Sequence, residues 1–252
     1  MIVREHDTEF VMIEQDNHAQ VSGKFIANCQ DSLFPGMKYK NSVDHAIFQH
    51  DCGWKPVDKQ PFWNDQKKTP YSFIDFPTPS KVMLYTSGID EVEKADSYAG
   101  LLCSEHYKRF LMSDMSEDAQ LFVEQEKIRQ HRIIDSLTEF DAVLFNFHYE
   151  LLQFCDNLSL YICLNEPGED THPFFKSGIP MPSALDVFSQ DKMKLTWEDD
   201  RTISLSEFPF HREIDVSFIQ KTVTKQAIRN HGLIESYNKA PDEEISIRFI
   251  GS

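Results

Sequence analysis

EFDAVLFNFHYELLQFCDNLSLYICL, residues 139–164, is the stretch on which the fold turns. At a helical period, Phe145, His148, Leu152, Asp156, Ser159, Leu160 and Cys163 fall along one broad strip, so the spacing predicts a helix that carries polar groups on a core-facing side. Upstream segments repeat the pattern. Asp16 is expected to cap a helix whose face holds His18, Val21, Ser22, Phe25 and Cys29. A second helix is expected from Ser42, with Val43, Ala46, Ile47, His50 and Asp51 on its stripe and Gly53 and Pro56 closing it. Periodicity also predicts helices over 80–95, over 97–112 with Ala99, Leu102, Cys103, His106 and Phe110 on one face, and over 117–137.

The remaining segments read differently. Residues 53–79 hold five of the twelve prolines and the aromatics Trp54, Phe62, Trp63, Tyr71, Phe73 and Phe76. That is too much proline for a helix and too much aromatic side chain for a disordered linker, so an ordered loop is expected. At the N-terminus, Ile2–Glu5 and Phe10–Ile13 form a hairpin around Asp7-Thr8. Beyond a proline-containing stretch at 167–182, Leu195/Trp197, Ile203/Leu205, Ile214/Val216/Phe218 and Ile245/Ile247/Phe249 alternate with the period of strands, and a short helix fits 232–240. The expected architecture is mainly α with a small antiparallel β part, an α+β chain. It is read as one domain over 1–252, with a helical core at 15–165 and a β-rich part at 185–252 that pairs with the N-terminal strands 2–14.

Composition narrows the function classes. Nine glycines in 252 residues is about half the usual ~7 %, which disfavours a turn-rich all-β chain. The formal net charge of −16, with no cluster of Lys and Arg, argues against nucleic acid as a partner. The start Met-Ile-Val-Arg-Glu-His-Asp has no signal-peptide pattern, and the apolar stretches fall short of the ~20 residues that span a bilayer. A soluble, cytoplasmic protein with no membrane partner is expected. Cys29, Cys52, Cys103, Cys155 and Cys163 are odd in number and contain no CxxC pair, which fits reduced thiols. There is no glycine-rich phosphate loop, GxGxxG or GxSxG, so kinases, dinucleotide enzymes and serine hydrolases find no local support.

The chemistry lies in polar residues on apolar faces. His-Asp occurs twice, about as often as chance gives, and His6-Asp7 sits in the hairpin turn. His50-Asp51 follows Ala46-Ile47-Phe48 and is delivered to the buried side of a helix end. His18, His106 and Asp156 sit on three further faces of the same kind. Two carboxylates buried together cost several kcal/mol each unless something neutralises them, and a divalent cation does so. A shell of imidazole and carboxylate suits Mn, Fe, Co, Ni or Zn better than Ca.

The order His18, then His50-Asp51 before a glycine, then Asp156 in a late helix resembles the HD superfamily of metal-dependent phosphohydrolases. Met1-Ile2-Val3-Arg4, Tyr71-Ser72-Phe73-Ile74-Asp75 and Cys155-Asp156-Asn157-Leu158-Ser159-Leu160 also resemble an uncharacterised bacterial domain-of-unknown-function family. The first resemblance implies an HD-like helical bundle in which His18, His50, Asp51 and Asp156 ligate one divalent transition metal. It further implies that His106 matches the additional histidines of members with two ions, with His131 as the available second. The implied activity is a metal-dependent hydrolase acting on a small phosphoester. Many phosphohydrolases of the superfamily carry Lys two residues after the motif's Asp-Xaa, whereas here Trp54 follows Cys52-Gly53 and Lys55 comes only after it. Trp54 and Lys55 are therefore the expected substrate-loop contacts, and His106 and His148 the candidate catalytic groups. Two other functions stay open: an HD-like iron oxygenase, and a non-catalytic module that binds a small ligand or a protein. A small molecule is the expected partner. Glu105 is expected in solvent.

Overall fold

In the computed structural model, which describes residues 1–183, 185 and 187–252, the two ends of the chain meet in one sheet. Strands β1 (Ile2–Glu5) and β2 (Glu9–Ile13) make the expected hairpin. Helix α1 (Gln15–Ala27) follows at once. Glu14, not Asp16, occupies its cap position, and the Gln15 N–H is satisfied instead by Asp58 Oδ2 at 2.5 Å. Helix α2 (Lys40–Gln49) begins two residues before Ser42. The aromatic segment is ordered into a short turn at Cys52–Trp54, helix α3 (Lys55–Asp58) with Pro56 in its first turn, and a hairpin of β3 (Trp63–Asn64) and β4 (Thr69–Pro70). Proline is tolerated there because the first helical N–H groups have no intrahelical partner.

Four long helices follow: α4 (Thr78–Ala95), α5 (Ser97–Leu111), α6 (Glu117–Ser136) and α7 (Ala142–Leu164). Capping carboxylates place two of their starts. Asp96 accepts from Ala99 N at 2.8 Å, and Asp141 accepts from Val143 N and Leu144 N at 2.8 and 3.1 Å, so α7 opens at 142 and not at 139. Strands β5 (Ile179–Pro180), β6 (Lys192–Met193), β7 (Leu195–Trp197), β8 (Thr202–Leu205) and β9 (Ile214–Thr224) come next. Two short helices, α8 (Lys225–His231) and α9 (Leu233–Lys239), lead to β10 (Glu243–Gly251). Only the second of these helices is expected from the sequence, because α8 buries none of its residues and carries no apolar stripe.

The main sheet runs β1-β2-β9-β10-β8-β7. Phe10 pairs with Val223, which joins the N-terminal hairpin to the C-terminal strands. The sheet is not purely antiparallel, however: β10 lies parallel to β8, with Phe249 opposite Ile203, while it pairs antiparallel with β9 on its other side. In β9, Ile214, Val216, Phe218 and Gln220 point inward and alternate with more exposed residues, giving the sheet one face against the helices.

Helix α7 is buried on nearly every side from Phe145 to Cys163, and α5 likewise from Tyr98 to Tyr107. Helices apolar all round lie at the centre of a fold, and α1, α2, α5 and the sheet pack around α7 accordingly. Glu105 is in this packing, not in solvent. It lies 8 % exposed, with Lys108 Nζ at 2.5 Å and Arg109 Nε at 2.7 Å, which hold its carboxyl below the usual range despite burial. All five cysteines are buried free thiols. Among the described residues no helix is long and apolar enough to cross a membrane.

Two features of this packing carry tests. Behind the His50-Asp51 turn, Gly53 touches Gly88 of α4, and a Cβ added at Gly53 would press into the carbonyl oxygen of Leu84. The intruded atom is backbone, so α4 itself would have to move. Gly53→Ala is expected to lower stability by about 1–3 kcal/mol, the usual range for overpacking, measured by denaturant unfolding. An unchanged midpoint would show that α4 yields at no cost.

His148 supplies the second. Its Nε2–H donates to Pro35 O at 3.2 Å and its Nδ1 accepts from Tyr98 Oη at 2.8 Å, with Phe34 stacked on the ring. Burial pushes the imidazole from 6.5 down to about 4. The unfolded chain therefore binds the proton more readily than the folded one between those values. His148 contributes stability that is complete above pH ~6.5 and is lost as pH falls toward ~4. His148→Gln should flatten the wild-type loss of stability across that window, and an identical slope in both proteins would refute the assignment.

Candidate metal centre

Each polar residue of the centre is carried by a different part of the helical core. His18 lies one turn into α1, His50 ends α2, Asp51 opens the turn that follows, His106 sits late in α5 and Asp156 in the middle of α7. All five are buried. Their ends meet. His18 Nε2 lies 3.2 Å from Asp51 Oδ2 and 3.3 Å from Asp156 Oδ1, and His50 Nε2 lies 3.4 Å from Asp156 Oδ1 and 3.3 Å from His18 Nε2. His50 Nε2 is 3.9 Å from Asp51 Oδ2, and His106 Nε2 is 3.9 Å from Asp156 Oδ2. Two overlapping groups result, His18-His50-Asp51 and His50-His106-Asp156, in each of which the ligand atoms lie within 4.8 Å of one another. Either group can hold a metal ion.

The far sides of these rings are held by neighbours that orient them. His50 Nδ1–H donates to Ile47 O at 2.8 Å, which turns Nε2 toward the cluster. His18 Nδ1 lies 2.5 Å from Ser159 Oγ. Ser159 donates its own proton to Asp156 O at 2.9 Å, so its oxygen accepts from His18 Nδ1–H, and here too Nε2 is the nitrogen that faces the cluster. Ser22 Oγ, 2.7 Å from Ser159 Oγ, completes this chain. Asp51 is held by Tyr107, whose hydroxyl donates to Oδ1 at 2.7 Å, and by Gln15, whose amide donates to Oδ2 at 2.9 Å.

Burial works against every charge here, and the pattern of compensation reveals the conflict. For His50, burial alone would lower the pKa, but Asp51 and Asp156 outweigh it and raise the ring to about 9. Burial likewise pushes Asp51 and Asp156 upward, and the facing imidazoles, with Tyr107 on Asp51, carry both below the ordinary carboxylate range. His106 has less support, and burial lowers it to about 4. Two carboxylates buried side by side are the costly charges of the site, and a divalent cation would balance both. His106 Nδ1 and Gln15 Oε1 are also buried polar atoms without a hydrogen-bond partner, as unfinished coordination or ligand contacts leave them. The donor set thus suits a metal ion by type and by spacing.

A small cavity of about 30 Å³ opens beside the cluster. Gln15, His18, Asp51, His106 and Asp156 supply its polar wall, and Trp54, Phe73, Tyr85, Tyr107 and Phe110 its aromatic one. Trp54 and Phe73 bring the aromatic segment to the cavity, and Trp54 is locked edge-on against Phe76 and Tyr85. Lys55 turns away and pairs with Asp16 at 3.3 Å. His148 stands two turns before Asp156 on α7, about 12 Å along the axis, with both nitrogens engaged elsewhere, so it is not part of the cluster. His131 is exposed and bonds to Lys127 O, which leaves His106 without it as a partner.

Gln15 and Tyr107 escape sequence reasoning. Tyr107 directly follows His106 and Gln15 precedes the first helical stripe, and neither position has a pattern that points to Asp51. Ser159 does have one, since it lies one turn beyond Asp156 on the same apolar strip.

No curated protein and no solved structure matches the chain. One family model matches residues 1–225, nearly the whole of the described core and most of the sheet, and its description is "Protein of unknown function (DUF3891)". The chain belongs to this DUF3891 family.

Proposed function

We propose that the protein is a metal-dependent hydrolase whose divalent transition metal is held by His18, His50, Asp51 and Asp156, with His106 as a further ligand or substrate contact. The observation that carries this reading is the meeting of two carboxylates and three imidazoles inside an apolar core, as two overlapping groups that share His50 and could each hold an ion. When bound, a divalent ion supplies Lewis acidity that makes water nucleophilic near neutral pH, and iron in particular supplies redox chemistry toward dioxygen. The chain's own contributions are positional. Tyr107 and Gln15 fix the Asp51 carboxylate, Ile47 and Ser159 aim the imidazoles of His50 and His18, and Trp54, Phe73 and Phe110 restrict water around the cavity.

The phosphoester substrate implied by the HD resemblance receives less support than the metal. No Lys or Arg side chain lines the cavity among the described residues. The same aromatic, cation-free wall favours the iron oxygenase as the second reading, and the identity of the metal separates the two.

Elemental analysis of the purified protein is expected to find a transition metal in stoichiometric amount. Zinc or manganese supports the hydrolase and iron supports the oxygenase. Chelation should lower the melting temperature, because an ion bound only by the folded state stabilises it by about 2.7 kcal/mol at a hundred times Kd. For a chain of this length that corresponds to roughly 5–10 °C. Asp156→Ala should abolish both the metal content and the chelator effect. A wild-type protein free of metal and indifferent to chelator would leave the cluster as a ligand-binding pocket without catalysis.

A further inference from the structure

Gln15 carries an atom that neither the fold nor the proposed ion uses. The side chain is 3 % exposed, and its Nε2 donates to Asp51 Oδ2. Because a carboxylate only accepts, that bond fixes the orientation of the amide and leaves Oε1 as a buried acceptor without a partner on the cavity wall. Charges around the cavity point the same way. With a divalent ion in place, Asp51 and Asp156 balance it, and no excess positive charge remains for an anion. The cationic side chains nearby are spent: Arg109 on Glu105 at 2.7 Å and over the ring of Tyr149, Lys108 on Glu105, and Lys55 on Asp16. Opposite the polar wall stand aromatic faces, and Phe110 is the one open to solvent, 51 % exposed with its ring 4.5 Å from that of His106.

Resting on the metal reading above, we propose that Gln15 is the specificity-determining residue of the site. It selects a small neutral molecule that brings an N–H or O–H donor to Oε1 and lays a flat or apolar body against Trp54 and Phe110, in preference to a phosphate anion. An unpaired buried acceptor favours the ligand that satisfies it and disfavours one that meets it with lone pairs. Phe110, at the end of α5, is the half-exposed part of the wall against which that body would lie.

The test uses the full chain loaded with cobalt(II), whose visible absorption reports on its ligands. Three probes are compared: imidazole, which offers a metal-binding nitrogen and an N–H donor, N-methylimidazole, which lacks the donor, and inorganic phosphate. Imidazole is expected to bind about three- to tenfold more tightly than N-methylimidazole, the span of one neutral hydrogen bond, with phosphate weaker than both. Gln15→Met, with binding referred to the cobalt it holds, should bring the two imidazoles to equal affinity. The wild-type ranking stands by itself if that variant does not fold. Phosphate binding more tightly than imidazole, equal binding of the two imidazoles by wild type, or a preference that survives Gln15→Met overturns the role of Gln15 while leaving the metal site intact. Failure to take up cobalt overturns the metal reading and this one with it.

Discussion

Two carboxylates share one apolar core, and the rest of the helical architecture answers to them. Asp51 and Asp156 are each less than a tenth exposed, and both meet His18 at hydrogen-bonding distance. Desolvating a carboxylate is among the costliest acts a fold performs, and total stability is only ~5–15 kcal/mol. The chain meets that cost by directing a side chain from every surrounding helix toward these two groups: His18 from α1, His50 from the end of α2, His106 and Tyr107 from α5. Such convergence requires the four helices to hold their relative positions, and this is where the packing around α7 and the Gly53–Gly88 approach become functional constraints as well as structural ones. Packing that serves only stability tolerates drift of an ångström, whereas a cluster of ligands does not.

How much of this is legible in the sequence depends on the range of the interaction. The long helices and most strands follow from local apolar period, and His18, His50, Asp51 and Asp156 follow from being polar on apolar faces. His148 satisfies the same criterion as Asp156 on the same helix, yet its partners are Tyr98 and the carbonyl of Pro35. The face of a helix is readable, but which neighbour meets it at a given turn is a tertiary fact. Glu105 fails for a related reason. A charged residue reads as solvated, and its burial is offset by Lys108 and Arg109 one turn onward and by the Gln130 amide, which donates to the same carboxylate at 3.1 Å. The parallel pairing of β10 with β8 is invisible for a different cause, since period-two alternation is the same in parallel and antiparallel ladders.

The centre and its surroundings differ in kind. The ligand-type residues stand on long helices and on the turn that directly ends one of them, and the far nitrogens of His18 and His50 are already bonded, so these two rings are arranged before anything binds. The aromatic wall is mixed in origin. Tyr85 and Tyr107 come from helices and stack on each other with ring centroids 4.0 Å apart, and Trp54 and Phe73 come from the segment between α2 and α4. That segment is pinned at both ends, by the Trp54 contacts with Phe76 and Tyr85 and by the Phe73 N–H bond to Met1 O at 2.8 Å. It behaves as part of the scaffold and not as a lid. The wall is more open at the end of α5, where Phe110 is half exposed next to a buried histidine, and the last turn of a helix is the part of it that opens at least cost. The fold thus spends its rigidity on the ligand cluster, and the helix end that carries Phe110 is the exposed part of the aromatic wall beside it.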